Sequence, residues 1–187
     1  MVIKANLLKD VGRVETFLKT DIASLGLWNS NGMSWVDSPE VFSKEFNLLF
    51  SAGQPKVENN LIGIDTGSDG NFKVIINLNN DLSDQDRQSL YKSETGILLE
   101  VDGAIRIGSL EWVGYAEKSA VEDNRIESLE LPPGKYIIDA YSLLSKDPSG
   151  QPKFISFALS IFTEEKYKKL NKKIRSNNAI LRLKYSP

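Results

Sequence analysis

The sequence predicts a mainly β fold: one antiparallel, β-sandwich-like domain with two or three short helices, one of them basic and near the C-terminus. Apolar residues alternate with polar ones in several runs through the middle and C-terminal half, the period of a half-buried strand. Clusters of Asp, Gly, Asn, Ser and Pro separate those runs, and such residues favour turns. Helical spacing is confined to short stretches. Packing one sheet on another is the simplest way to bury many one-sided strands. With 187 residues, 41% apolar and 26% charged, residues 1–187 read as a single domain. A chain of this length buries enough surface to need no disulfide or metal to hold it.

Taken in order, residues 26–35 place Trp28 and Trp35 in a polar, turn-rich segment. Exposed Trp there would be a natural partner anchor, with burial in the core as the alternative. Residues 39–50 fit two patterns. Ser38-Pro39 is a good helix start, whereas Phe42, Phe46, Leu48 and Phe50 also suit a strand face; the balance favours a helix. Residues 61–64 and 72–78 read as a hairpin across the polar stretch 65–71. A short helix over 84–91 begins at Ser83. The apolar runs 97–101 and 104–107 flank Asp102-Gly103, a strong short-range hairpin signal because a type I′ turn requires positive φ. Pro132-Pro133-Gly134 predicts a tight turn before a strand over 135–144. Ile155, Phe157, Leu159 and Ile161 form one apolar strand face. Thr163 caps a basic helix over about 163–176, with Glu164 and Glu165 in its first turn and Lys172, Lys173 and Arg175 in its last, the order that suits the helix dipole. A last strand over about 179–185 presents Leu181, Leu183 and Tyr185 on one face.

Composition excludes much chemistry. There is no Cys and no His, so disulfides, thiolate catalysis, imidazole bases and zinc–cysteine or histidine ligand sets are impossible within this chain. Asp65-Thr66-Gly67-Ser68 after Leu61-Ile62-Gly63-Ile64 resembles the active-site loop of the aspartic proteases. The resemblance implies a dimer in which Asp65 meets its twin, since that chemistry requires two carboxylates sharing one proton. A second Asp-Thr/Ser-Gly is missing, and Arg106 interrupts the apolar-apolar-Gly segment 105–108 that the family places beneath its loop. The competing reading of Asp65 is a polar turn residue. Asp65, Asp69, Gly70 and Asn71 also match part of a calcium loop, but position twelve is Ile76 where a bidentate Glu is required. Acid pairs such as Glu122 with Asp123, or Asp84 with Asp86, read as surface charge. Phosphate-gripping glycine loops are absent. No cofactor or metal is expected.

The net charge of −2 hides an asymmetry. Residues 163–187 carry eight basic side chains against Glu164 and Glu165, leaving 15 basic and 23 acidic groups in the other 162 residues. Lys169 and Lys173 mark the basic segment as a candidate partner contact, although a solvated helix face is the plainer reading. The acidic body opposes nucleic-acid binding, and no stacking aromatics accompany the basic stretch. No apolar run is long enough to span a membrane. The first ten residues lack the apolar core of a secretory signal, which predicts a cytoplasmic protein.

The order Trp28 to Trp35 ahead of a Phe-containing segment, then 97–101 turning into 105–107, then 126–131 with Pro133-Gly134-Lys135-Tyr136, resembles the bacterial competence-protein nuclease inhibitors over about residues 28–143. The resemblance implies a β-rich fold and an acidic surface that binds a basic nuclease; it carries over no inhibitor residues. The expected function is therefore a non-enzymatic protein-binding module, an inhibitor or immunity-type protein acting on a nuclease or toxin. A dimeric aspartic protease using Asp65 is the enzymatic alternative. A structural or assembly subunit, marked by homo-oligomerisation, is the third.

Overall fold

The computed structural model describes residues 2–4, 12–50, 59–123, 125–146, 148–175 and 180–184. Among them, eleven strands form two sheets. The six-stranded sheet has the order β1 (Val2–Lys4), β8 (Glu127–Glu130), β7 (Ala104–Ser109), β3 (Ser24–Asn29), β4 (Leu61–Asp65) and β11 (Ile180–Leu181). The five-stranded sheet has the order β2 (Gly12–Thr20), β5 (Gly70–Leu78), β10 (Pro152–Thr163), β9 (Gly134–Lys146) and β6 (Leu90–Val101).

The sandwich follows from the alternation in these strands. Leu25 and Leu27, Ile62 and Ile64, and Ile105 and Ile107 point inward from the six-stranded sheet. They meet Val74, Ile76, Leu99, Ile138, Phe157, Leu159 and Ile161 from the other sheet in one buried cluster. Each such side chain contributes about 1.5–3 kcal/mol when fully removed from water. The intervening residues point outward, and both outer faces are covered in turn by helices and loops. Residues 26–29, expected to open a polar turn-rich segment, belong instead to the strand Ser24–Asn29, which is buried along its whole length.

Both hairpins expected from turn chemistry are corners between the sheets. Asp102-Gly103 carries the chain from β6, which pairs with β9, to β7, which pairs with β3 and β8. Likewise the stretch after Asp65 leads from β4, paired with β3 and β11, to β5, paired with β2 and β10. The physical reason is burial. Leu99 and Val101 on one side of the turn and Ile105 and Ile107 on the other all face the same core, so the two strands must stack across it and not lie edge to edge. The turn residues specify a reversal of the chain; the partners of each strand are chosen by contacts far away in sequence. The consecutive strands β9 and β10 do form a hairpin, in register from Leu144–Ile155 to Tyr136–Thr163. Pairing is mainly antiparallel, with three parallel exceptions at β1–β8, β5–β10 and β4–β11.

Four α-helices accompany the sheets among the described residues. α1 (Pro39–Phe50) takes the helical alternative for its segment; Ser38 caps it, its Oγ accepting from the Val41 N–H at 3.3 Å and its carbonyl from the Phe42 N–H at 3.0 Å. α2 (Asp84–Gln88) is capped by Ser83 and is shorter than expected, because Leu90 already belongs to β6. α3 (Glu117–Glu122) has no sequence forecast behind it. α4 (Glu164–Lys169) starts at the Thr163 cap but spans six residues and stops well short of 176. Asn171 turns the chain in the left-handed region at φ 54°, and the following residues run extended to Arg175, which bridges Ile97 of β6. Of the predicted last strand, Ile180 and Leu181 pair in parallel with Gly63 and Ile64; residues 176, 179 and 185 lie outside the described residues. No helix among those described is long and apolar enough to cross a membrane.

Candidate functional site

The outer face of the six-stranded sheet is built on two glycines. Gly26 of β3 lies opposite Gly108 of β7. A Cβ on Gly26 would overlap the Leu110 side chain, and one on Gly108 would overlap Ile126. Their absence lets Leu110 and Ile126 pack directly on the sheet, in a cluster that also holds Trp28, Met33, Val36 and Val113. At Gly114 (φ 70°) a Cβ would strike the Val36 carbonyl, and this close approach joins the loop after β3 to the loop before α3. The Tyr115 N–H donates to the Val36 carbonyl there at 2.7 Å, leaving the Tyr115 ring exposed at the surface.

Glu117, the first residue of α3, is the hub of this face. One carboxylate oxygen accepts from the indole N–H of Trp28 at 2.9 Å. The other accepts from Arg106 Nε at 2.9 Å and from the Ser30 hydroxyl. Arg106 lies opposite Trp28 in the β3–β7 register and donates onward to Ser128 Oγ. Above this network lies an open cleft of about 640 Å³, bordered by Asn31, Asp37, Arg106, Tyr115, Lys118 and Glu122 among others. A second groove of about 460 Å³ shares Asn31 with it and is lined by Asn29, Asn60, Glu100, Asp102 and Lys135. Asparagines frame the second groove: Asn29 Nδ2 donates to Asn60 Oδ1 at 3.1 Å, and Asn31 Nδ2 donates to the Asp102 carbonyl at 2.6 Å. Across both, five carboxylates (Asp37, Glu100, Asp102, Glu117, Glu122) face three cations (Arg106, Lys118, Lys135). Asp37, Asp102 and Glu122 are exposed at the rims.

A second carboxylate organises the opposite face of the molecule. Asp139 of β9 is fully buried. It accepts from the Gly96 N–H at 2.7 Å, the Tyr167 hydroxyl at 2.9 Å, the Tyr141 hydroxyl at 3.3 Å and Lys172 Nζ at 2.8 Å. Tyr141 also donates to Asp81 at 2.8 Å, and Lys172 reaches Asp81 at 3.1 Å. Burial alone would raise the Asp81 carboxyl; hydrogen bonds from Tyr141, the Leu82 N–H and Lys172 outweigh it and hold it at about 2. Burial drives both phenols far up, reinforced by the facing carboxylates. On Lys172, burial works downward and is outweighed by the two carboxylates, so its ammonium is held charged. This satisfied network clamps the segment after α4 onto the five-stranded sheet. It also explains the shortened helix, because Lys172 must leave the helical path to reach Asp139.

The residues singled out by sequence are divided between the two faces. Trp28 is wholly buried beneath the cleft and tied to Glu117, so its ring is a packing element and not a surface anchor. Trp35 is half-buried against the same cluster. Lys169 is exposed on the opposite side and pairs with Glu165 at 2.7 Å; Lys173 is exposed nearby. Asp65 is built into its own turn: Oδ1 accepts from the Gly67 N–H at 2.9 Å, and Oδ2 pairs with Lys184 at 3.0 Å. Thr66 Oγ1 donates to the Ser68 carbonyl of the same turn. Among the described residues, no group of three or more acids is gathered as a metal site would require. Glu117, Arg106, Asn31 and Asn60 escaped the sequence reading, since their meeting depends on register between distant strands.

No protein-family model matches the chain, and no curated protein matches it. Among solved structures the fold is similar to that of ComJ from Bacillus subtilis, described as the inhibitor of the DNA-degrading activity of NucA. The identity is 11%, the TM-score 0.50, and the match covers 82% of this chain and 98% of that one. A second similar structure is crocagin biosynthetic gene J, at 13% identity and TM-score 0.48, over 83% of this chain and 97% of that one. The fold likeness to ComJ agrees with the resemblance read from residues 28–143.

Proposed function

We propose that this protein is an inhibitor-type binding module that docks a basic protein, a nuclease or toxin, through the adjoining clefts at Asn31. The supporting observation is the pair of open polar grooves with exposed Asp37, Asp102 and Glu122 at their rims, on a fold like that of ComJ. Rim carboxylates steer a cationic partner and raise its association rate. The Glu117 network below holds the cleft wall in place before binding, which lowers the entropy cost of docking. Tyr115, exposed at the first cleft, supplies aromatic surface at the rim. The role is non-enzymatic and requires no cofactor: a chain without His or Cys meets a partner here by shape and charge. Its setting is the bacterial cytoplasm.

The test is capture of partners from lysate of the source organism by the tagged protein, at low and moderate salt. Stoichiometric recovery of one basic nuclease or toxin is expected, with inhibition of its activity in a purified assay. The variant Asp37→Lys/Asp102→Lys/Glu122→Lys should slow association by at least ~10-fold while leaving the thermal melt in place. Unchanged association of that variant would remove the clefts from the proposal. Recovery of no partner would remove the inhibitor role.

A further inference from the structure

Among the described residues the two sheets have four edges, and three of them are protected. β1 and β11 are very short, with three and two residues, and short edge strands offer little template for pairing. β6 is interrupted by register shifts at Leu90/Lys92 and Glu94/Ile97. It is also bridged by Arg175, whose N–H donates to the Gly96 carbonyl at 2.6 Å. β2 differs. It is nine residues long, pairs without a shift from Gly12–Leu78 to Thr20–Gly70, and among the described strands has β5 as its one neighbour. Its outward face carries Arg13, Glu15, Phe17 and Lys19, with Asp21 just beyond; Phe17 is 73% exposed. A long, regular edge with an exposed aromatic at its centre is a pairing site unless a partner covers it.

The charge order identifies that partner. Along the outward face the residues read positive, negative, Phe, positive, and the negative Asp21 follows at the bend that ends the strand. We infer that β2 pairs antiparallel with β2 of a second copy of this chain, about a twofold axis at Phe17, joining two five-stranded sheets into one. In that register Arg13 faces the partner's Asp21, Glu15 faces the partner's Lys19, and the two Phe17 rings meet. Centring the axis on Thr16 would set Arg13 against Lys19, centring it on Glu15 would set Glu15 against itself, and centring it on Leu18 would set Glu15 against Asp21. Half-residue registers would oppose an outward residue to an inward one, which the pleat forbids. Like charges directly opposite are destabilising and opposite ones favourable. Centring the axis on Val14 would also oppose unlike charges, Arg13 with Glu15, but would overlap only residues 12–16 of the strand, so the longer Phe17-centred register is selected. Within each copy these side chains are already engaged, Arg13 with Asp86 and, at 2.7 Å, with Glu15, Glu15 also with Lys73 at 2.7 Å, and Lys19 with Asp21 at 2.8 Å. Association adds the partner's Lys19 to the cations around Glu15.

The test uses the full chain in sedimentation equilibrium over a concentration series, together with cross-linking. The wild type should populate a dimer, and Phe17→Asp should be monomeric throughout. Glu15→Lys should weaken association by at least ~10-fold, since it sets an ammonium against the partner's Lys19; Glu15→Lys/Lys19→Glu should restore it. Because the chain has no Cys, Phe17→Cys introduces a sole thiol. Mild oxidation should then give a covalent dimer, since directly opposed residues approach disulfide distance; Lys73→Cys should not. Circular dichroism and thermal melts confirm that each variant is folded. A wild type that is monomeric at every concentration, a dimer that survives Phe17→Asp, or a charge swap no better than Glu15→Lys alone would each overturn the inference. So would a monomer whose β2 amides become protected from exchange only when a foreign partner binds, an outcome that assigns the edge to that partner.

Discussion

The two outer faces of the sandwich are each organised by one acidic side chain, and they use it to opposite ends. Asp139 has no exposed surface and is ringed by two phenols, a backbone N–H and an ammonium. Glu117 keeps 12% of its side-chain surface in contact with solvent and lies beneath an open cleft. On the first face the chain supplies every ligand of the carboxylate and seals it with the segment after α4. On the second, the chain supplies an indole, a hydroxyl and a guanidinium, then stops, leaving a shaped and polar surface above them. The same device thus yields a clamp where the chain folds back over it and a rigid recess where it does not. Burial of the carboxylate, more than its identity, separates structural from interactive use.

The contrast is sharpest in stability. Asp139→Ala should cost about 3–5 kcal/mol in urea unfolding, because the buried Gly96 N–H and Tyr167 hydroxyl lose their acceptor and an unsatisfied buried donor costs about 1–3 kcal/mol. Lys172 keeps Asp81 as a partner at 3.1 Å, so Asp139→Ala/Lys172→Met should recover none of that loss; recovery would mean that the ammonium, and not the phenols and Gly96, is the group left stranded. Glu117→Gln should cost less, about 2–3 kcal/mol, because the amide keeps one acceptor oxygen and sets its NH2 against either the Trp28 indole N–H or the Arg106 guanidinium. A red shift of Trp28 emission should accompany it. A loss equal to that of Asp139→Ala would abolish the distinction between the faces.

Acid should act on the closed face by a definite route. Asp81 is held at about 2 against an ordinary 3.8, so its folded form binds protons less readily than its unfolded form. Its contribution is present above pH 3.8 and is lost as pH falls from there toward 2, amounting to roughly 2 kcal/mol. Asp81→Asn should remove this part of the pH dependence from an acid-unfolding curve. Smallest, Thr163→Ala should cost about 1 kcal/mol by deleting the cap of α4, visible as faster hydrogen exchange in the α4 turn with the cleft face unchanged. Exchange that also quickened around Glu117 would show that the two faces are coupled.

Strand identity was largely legible because it is local: period two over residues 155–161 reports a buried face wherever the strand goes. The Ser38, Ser83 and Thr163 caps were legible for the same reason. Strand partnership was not. Asp102-Gly103 has the composition of a hairpin turn, yet its flanking strands belong to different sheets, since Leu99 and Ile107 must meet across the core. The candidate site shared that fate. Trp28 was visible as a large aromatic in polar surroundings, but its partners Glu117 and Arg106 lie 89 and 78 positions along the chain. Asp65 was conspicuous for a short motif whose atoms turn out to be spent on its own loop and on Lys184. The end of α4 was hidden because Lys172 reads as a helical surface lysine until Asp139 is seen beneath it.

The corners between sheets bear on how such a chain can be made. β5 emerges well before its parallel neighbour: β5 ends at residue 78, and β10 begins only at residue 152. At the ~5–20 residues per second of a ribosome, the β2–β5 ribbon waits roughly 4–15 s for that neighbour. During that interval Val74 and Ile76 have one strand beside them and no completed sheet across from them. Two strands alone are marginally stable in water, so the nascent chain carries an adhesive, half-built layer until late in its emergence. Contacts between distant strands also make the folding itself slow. A protein of this topology is therefore under pressure at birth, and the time it spends incomplete is set by the order in which its strands were strung.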